Sequence, residues 1–145
     1  MKKIIAFAIA LSFIASSSAT FAEVHFKDVS FADALKQAKK EKKIIMVDYF
    51  TTWCGWCKKL DRDTYSSDEI GKYADDNIIS LKLDAEKGEG STLAKKAGIT
   101  GFPTIVFYNG DGKEIYRIVG YKPAPGFIQE MMKAVGSNTK SLLIL

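Results

Sequence analysis

The run Ile44-Ile45-Met46-Val47-Asp48-Tyr49-Phe50 constrains this chain more than any other segment. Its apolar side chains are not interleaved with polar ones, and β-branched and aromatic types are frequent. The run therefore predicts a strand covered on both faces. Two-sided cover needs helices above and below a sheet, and the flanking sequence supplies them. Phe31, Ala34, Leu35 and Ala38 recur at helical spacing behind Ser30, a side chain suited to capping, and predict an amphipathic helix over 30–41. The charge run Lys39 to Lys43 reads as the solvated end of that helix.

Further along, Thr51 to Trp53 reads as a connection and Cys54 to about Tyr65 as a helix. Ser66 with Glu69 three residues later has capping-box spacing and predicts a helix that fades near Asn77. Ile78 to Leu83 predicts a second strand, Gly88 and Gly90 a loop, and Ser91 to Ala97 a short helix stopped by Gly98. Pro103 to Tyr108 and Glu114 to Val119 predict two more strands, joined through the hairpin signal Asn109-Gly110-Asp111-Gly112. Phe127, Ile128, Met131 and Val135 make the apolar stripe of a last helix that Gly136 is expected to end. Alternating helices and strands imply parallel pairing through crossovers, and the late hairpin adds an antiparallel edge. The expected fold is α/β, a central mixed sheet of four to five strands flanked by helices, with Val24 to Phe26 as the optional fifth. A chain of 145 residues suffices for one ordinary core, and no linker or repeat divides it.

The N-terminus reads as an address. Lys2-Lys3, the apolar stretch Ile4 to Ile14 broken only by Ser12, the triplet Ser16-Ser17-Ser18 and small residues at Ala19 and Ala22 match a cleaved secretory signal over 1–22. Cutting is expected after Ala22 or after Ala19. An apolar run of about 11 residues falls short of the roughly 20 that cross a hydrocarbon core, so no stable membrane insertion is expected. No cysteine adjoins the cleavage region to carry a lipid anchor. The mature protein is expected outside the cytoplasm, periplasmic or secreted, with a domain over 23–136 and a tail over 137–145. Without Lys2 and Lys3, 19 basic side chains face 17 acidic ones, and a net charge of +2 gives no footprint for nucleic acid.

Export changes the meaning of the two cysteines, Cys54 and Cys57. Small exported domains use cysteines as staples, but a bridge across two intervening residues closes too small a loop to hold a domain together. Chemistry explains the pair better. It stands where the first long strand gives way to a helix, whose first amides lack internal partners and gather partial positive charge. A Cys54 thiolate is stabilised there relative to the thiol, and the helix start brings Cys57 within bonding distance. One cysteine can then attack a substrate disulfide while the other resolves the mixed disulfide.

From about Ser30 to Gly136 the chain resembles the thioredoxin superfamily. The matching segments are Val47-Asp48-Tyr49-Phe50, Trp53-Cys54-Gly55-Trp56-Cys57-Lys58, Gly101-Phe102-Pro103-Thr104 and the Asn109 to Gly112 hairpin. Within it the chain is most similar to exported thioredoxin-like proteins and to the C-terminal domain of membrane thiol–disulfide transporters. The resemblance implies a thioredoxin fold, with Cys54 as attacking and Cys57 as resolving cysteine. It also implies a cis bond before Pro103, with Phe102 lining the docking edge, and a buried acid at Asp48 that moves the proton of Cys57. Two positions depart from the family pattern. Trp56 stands where cytoplasmic thioredoxin has proline, and the lysine that partners the buried acid falls near Ser80, with Lys82 two residues further on.

A cysteine near pKa 8.5 is roughly 3% thiolate at neutral pH and one near 7 about half, a gain of about 15-fold. Lower basicity weakens the nucleophile by a factor of about 5, leaving a net gain near threefold. The pKa therefore tunes direction as much as speed. Trp53, Trp56 and Phe102 form the expected client platform, since aromatic side chains dock apolar peptide segments. Lys58 and Lys59 either lower the thiol pKa or coat a solvated helix face, and for Lys59 the latter is expected.

A structural zinc site normally takes four Cys or His ligands, and the chain offers two cysteines and His25, so neither a metal nor another cofactor is expected. Covalent haem attachment needs histidine directly after the second cysteine, where Lys58 stands. The expected function is an exported thiol–disulfide oxidoreductase, a monomer that reduces disulfides in periplasmic proteins with electrons from a membrane thiol–disulfide donor. The alternatives are an oxidase or isomerase, or a redox-silent peptide-binding module. Superfamily isomerases often dimerise through an added domain, which modestly favours reduction.

Overall fold

The computed structural model describes residues 22–142. Its sheet has four strands: β1 (Ile44–Phe50), β2 (Ile78–Asp84), β3 (Thr104–Tyr108) and β4 (Glu114–Val119), in the spatial order β2-β1-β3-β4. β1 pairs parallel with β2 and antiparallel with β3, which pairs antiparallel with β4. The expected mixed sheet is present. Val24 to Phe26 is not a fifth strand; it is tied down by single bonds, Val24 N–H to Tyr65 C=O and Lys27 N–H to Ser80 C=O, at 2.9 and 2.8 Å.

Helices cover both faces, as the unalternated β1 sequence requires. On one side Ile45, Val47 and Tyr49 pack with α1 (Phe31–Glu41) and α4 (Gly88–Lys96). On the other, Ile44 and Met46 pack with α2 (Gly55–Leu60), a π-helical turn over Asp61–Tyr65, α3 (Asp68–Asn77) and α5 (Ala124–Leu142). Strand alternation places Asp48 on the second face, the side that carries the cysteine helix. The register sets Lys82 of β2 directly opposite Asp48.

Three local expectations change. Ser66 does not cap α3; its hydroxyl donates back to Arg62 C=O at 2.6 Å, and Ser67 occupies the cap position. The π-turn has absorbed the extra residue, so the cap shifts by one. Gly88 and Gly90 do not form a loop but open α4, and a Cβ on Gly90 would stand 2.3 Å from Asp84 C=O. Glycine there permits close helix–strand approach rather than a turn. Gly136 does not end the last helix, which runs on to Leu142 with Ser137 and Thr139 hydroxyls bonding back to Lys133 and Val135 carbonyls. A single glycine costs a helix only about 1 kcal/mol, and here its φ is not positive. Part of the expected tail is thus helical. The expected signal over 1–22 lies, except for Ala22, outside the described residues, as do 143–145. No helix among the described residues is long and apolar enough to cross a membrane.

Candidate active site

Cys54 and Cys57 are joined by a disulfide, with Cα atoms 5.3 Å apart. Cys54 is the N-cap of α2 in extended backbone, and its Sγ accepts from the Cys57 N–H at 3.0 Å. The Cys54 sulfur thus takes the place that a serine or aspartate oxygen fills at other helix starts. Cys54 N–H itself bonds to Thr51 C=O at 3.2 Å, which folds the connection after β1 into a tight approach. Both cysteines are buried, while Gly55 and Trp56 between them are exposed.

The Phe102–Pro103 peptide is cis, as the resemblance implied. Thr104 Oγ1 donates to Gly101 C=O at 2.8 Å, and Pro103 C=O accepts from Gly120 N–H at 2.8 Å, so this bend is tied to the end of β4. Gly120 has φ +85°, a conformation that favours glycine. The three expected platform aromatics converge here. Trp53 and Phe102 meet edge to face with centroids 6.0 Å apart, and Trp53 and Trp56 are 65% and 59% exposed. Both indoles thus stand in water on either side of the Cys54 helix start.

Sequence reasoning missed two residues of this platform. Tyr121 lies 5.7 Å from Trp56, and together with Phe102 and Gly120 they line a groove of about 320 Å³. Glu86 accepts from Trp53 Nε1 at 3.1 and 3.2 Å and so orients the indole. An aromatic after the strand-ending Gly120 was the available signal for Tyr121; Glu86, in a loop far along the chain, left none. Lys59 pairs with Asp63 at 2.6 Å and sits 5.0 Å from the Tyr121 ring centroid, so it braces the groove wall more than it coats a helix.

Asp48 is fully buried, and neither carboxyl oxygen has a hydrogen-bond partner among the described residues. Lys82 Nζ stands 3.7 Å from Asp48 Oδ2, so the lysine expected near Ser80 is replaced by Lys82, brought to the acid by the β1–β2 register. Lys82 also donates to Asp61, and its ammonium lies 5.2–5.6 Å from the Phe26, Phe50 and Tyr65 ring centroids. Burial pushes the Asp48 carboxyl up to about 7; the Lys82 ammonium opposes the rise and the Asp61 carboxylate adds to it. A carboxyl poised near neutrality can both take and return a proton. Among the described residues no cluster of His, Cys, Asp and Glu could hold a metal ion. His25, the residue weighed for that part, is exposed and pairs instead with Asp75 at 3.0 Å.

Comparison with known proteins agrees with this geometry. The family model of the thioredoxin-like domain matches residues 31–135. The chain is 31% identical over 110 residues to a protein disulfide-isomerase of Zea mays, covering 76% of this chain and 21% of that protein. It is 34% identical over 101 residues to the thiol:disulfide interchange protein DsbD of Yersinia enterocolitica, covering 68% of this chain and 17% of that protein. The chain thus spans only about a fifth of these relatives. Among solved structures, a candidate disulphide-isomerase from Bacteroides thetaiotaomicron superposes with TM-score 0.71 at 39% identity, covering 81% of this chain and 97% of that one. The DsbD C-terminal domain of Neisseria meningitidis, in its oxidised form, shares the fold with TM-score 0.60 at 23% identity over 71% of this chain and 90% of that one. By the family match over residues 31–135, the chain belongs to the thioredoxin-like domain family, and it carries a Cys54–Cys57 disulfide at the start of α2.

Proposed function

We propose that the protein is exported and reduces disulfides of other exported proteins, with Cys54 as the attacking and Cys57 as the resolving thiol. The Cys57 N–H on Cys54 Sγ carries this division of roles: it stabilises charge on Cys54, both as nucleophile and as leaving group. Asp48 serves as the acid–base partner of Cys57, from the sheet face on which α2 packs.

Opposing charges around the cysteines support this direction of transfer. The helix start favours a thiolate and hence the reduced pair. A carboxylate at Asp48, with Asp61 beyond it, disfavours a thiolate and hence favours the disulfide, which makes the dithiol a better reductant. Likeness to DsbD supports the same reading. The leader over 1–22 supports a compartment without cytoplasmic reductant, so sustained turnover needs a membrane thiol–disulfide donor as partner. The groove beside Phe102 and Pro103 receives the client chain, and the protein works as a monomer.

Insulin turnover in dithiothreitol tests the activity. Catalysed precipitation of the B chain is expected, whereas peptide binding without turnover would favour a redox-silent binding module. Fractionation with mass analysis tests export: a mature chain beginning at Glu23, or at Thr20 for the earlier cut, is expected outside the cytoplasm.

A further inference from the structure

The cysteine helix α2 runs directly into the π-turn over Asp61–Tyr65, and π-turns often mark functional positions. Widening the turn brings residues four apart closer to one face, and both of its ends address the same cation. Asp61 pairs with Lys82, while the Tyr65 ring lies 5.6 Å from the Lys82 ammonium. Phe26 and Phe127 clamp that ring edge to face at 5.0 and 5.5 Å, which leaves its hydroxyl little choice of direction.

Asp48 shares that ammonium: Lys82 Nζ lies 3.7 Å from Asp48 Oδ2, so the phenol and the carboxyl belong to one buried cluster around a single cation. Among the described residues Tyr65 Oη and both Asp48 oxygens are buried without hydrogen-bond partners, so three polar atoms around one cation lack satisfaction. Buried orphans of this kind call for an explanation. Burial holds the Tyr65 phenol protonated well above its ordinary range, so the hydroxyl has a proton to donate.

We propose that Tyr65 is a positioning residue for Asp48: its hydroxyl donates to the carboxylate whenever Asp48 is charged, and so controls the pH at which this acid exchanges its proton. The proposal rests on the acid–base role given to Asp48. In that step Asp48 carboxylate takes the Cys57 thiol proton, and the Cys57 thiolate attacks Cys54 Sγ of the mixed disulfide. The Cys54–client bond breaks, the Cys54–Cys57 bond forms, and the client thiolate leaves and is protonated by Asp48 or water. Two electrons pass from the enzyme dithiol to the client disulfide. Lys82 of β2 and Asp61 of the π-turn are the other charged groups around Asp48, with Glu23 lining the cavity outside Lys82 and Asp61. All remain when Tyr65 is replaced by phenylalanine, which also keeps both ring contacts.

The test is carbon-13 NMR titration of the Asp48 carboxyl in the oxidised protein and in Tyr65→Phe. Loss of a donor to the charged form is expected to raise the midpoint by about one unit. The resolution rate near pH 7 should then fall roughly fivefold and recover near pH 9, following the ionised fraction of Asp48. An unchanged Asp48 midpoint in a folded Tyr65→Phe variant overturns the proposal, and a purely structural role would lower the melting temperature without moving that midpoint. A raised midpoint with an unchanged resolution rate supports the hydrogen bond and removes Asp48 from the exchange step instead.

Discussion

Lys82 Nζ lies 3.7 Å from Asp48 Oδ2 across the parallel β1–β2 pair, while the same ammonium bonds Asp61. One cation serves two carboxylates, and the buried one receives the longer contact. The aromatic rings of Phe26, Phe50 and Tyr65 take part of the hydration shell that the ammonium gives up. Burial pushes the Asp48 carboxyl up toward neutral pH, and the shared lysine offsets only part of that rise.

Folded-state burial raises Asp48 from 3.8 to about 7, so the native state binds a proton that the unfolded chain has lost across that interval. The stabilising contribution is complete below about pH 4 and disappears as pH rises through about 7. Asp48→Asn removes the penalty of a buried charge. The oxidised variant is expected to gain up to about 4 kcal/mol relative to wild type at pH 8, and little at pH 4. Urea unfolding at the two pH values measures this; equal effects at both would show that the carboxyl titrates normally.

Cys57→Ser is expected to accumulate a mixed disulfide through Cys54, because the resolving sulfur is gone. Cys54→Ser should trap little, since Cys57 lacks the amide that supports charge on Cys54. Non-reducing gels with mass mapping distinguish the variants. Equal trapping would show that the two thiols share the attacking role.

The Trp56–Tyr121 wall should matter to proteins and not to small disulfides. Trp56→Ala and Tyr121→Ala are each expected to raise KM for insulin roughly threefold to tenfold, the loss of about 1 kcal/mol of aromatic contact. Reaction of the reduced enzyme with a small aromatic disulfide should stay within about twofold of wild type. Parallel losses on both substrates would mean that these side chains support the disulfide itself rather than the client.

The order of elements was legible because β1 needs cover on both faces and because Asn109 to Gly112 leaves few alternatives to a hairpin. Cys54, Cys57, Phe102 and Pro103 were legible through spacing and resemblance. Lys82 was not recognised as the partner of Asp48, since pairing across β1–β2 depends on a register that no local pattern reveals. Tyr65 and Asp61 were hidden for another reason. Periodicity continues through a π-turn as if the helix were regular, so the face that each residue takes cannot be counted from Cys57. Tyr121 and Glu86 reach the site only through tertiary folding, from the end of β4 and the loop after β2.

The equilibrium potential of the Cys54–Cys57 couple, measured against glutathione buffers, bears most directly on the proposed reduction of client disulfides. Opposition of Asp48 and Asp61 to thiolate charge places it near the roughly −270 mV of thioredoxin. A value near the roughly −120 mV of a strong periplasmic oxidant would contradict that direction and make the protein a disulfide donor.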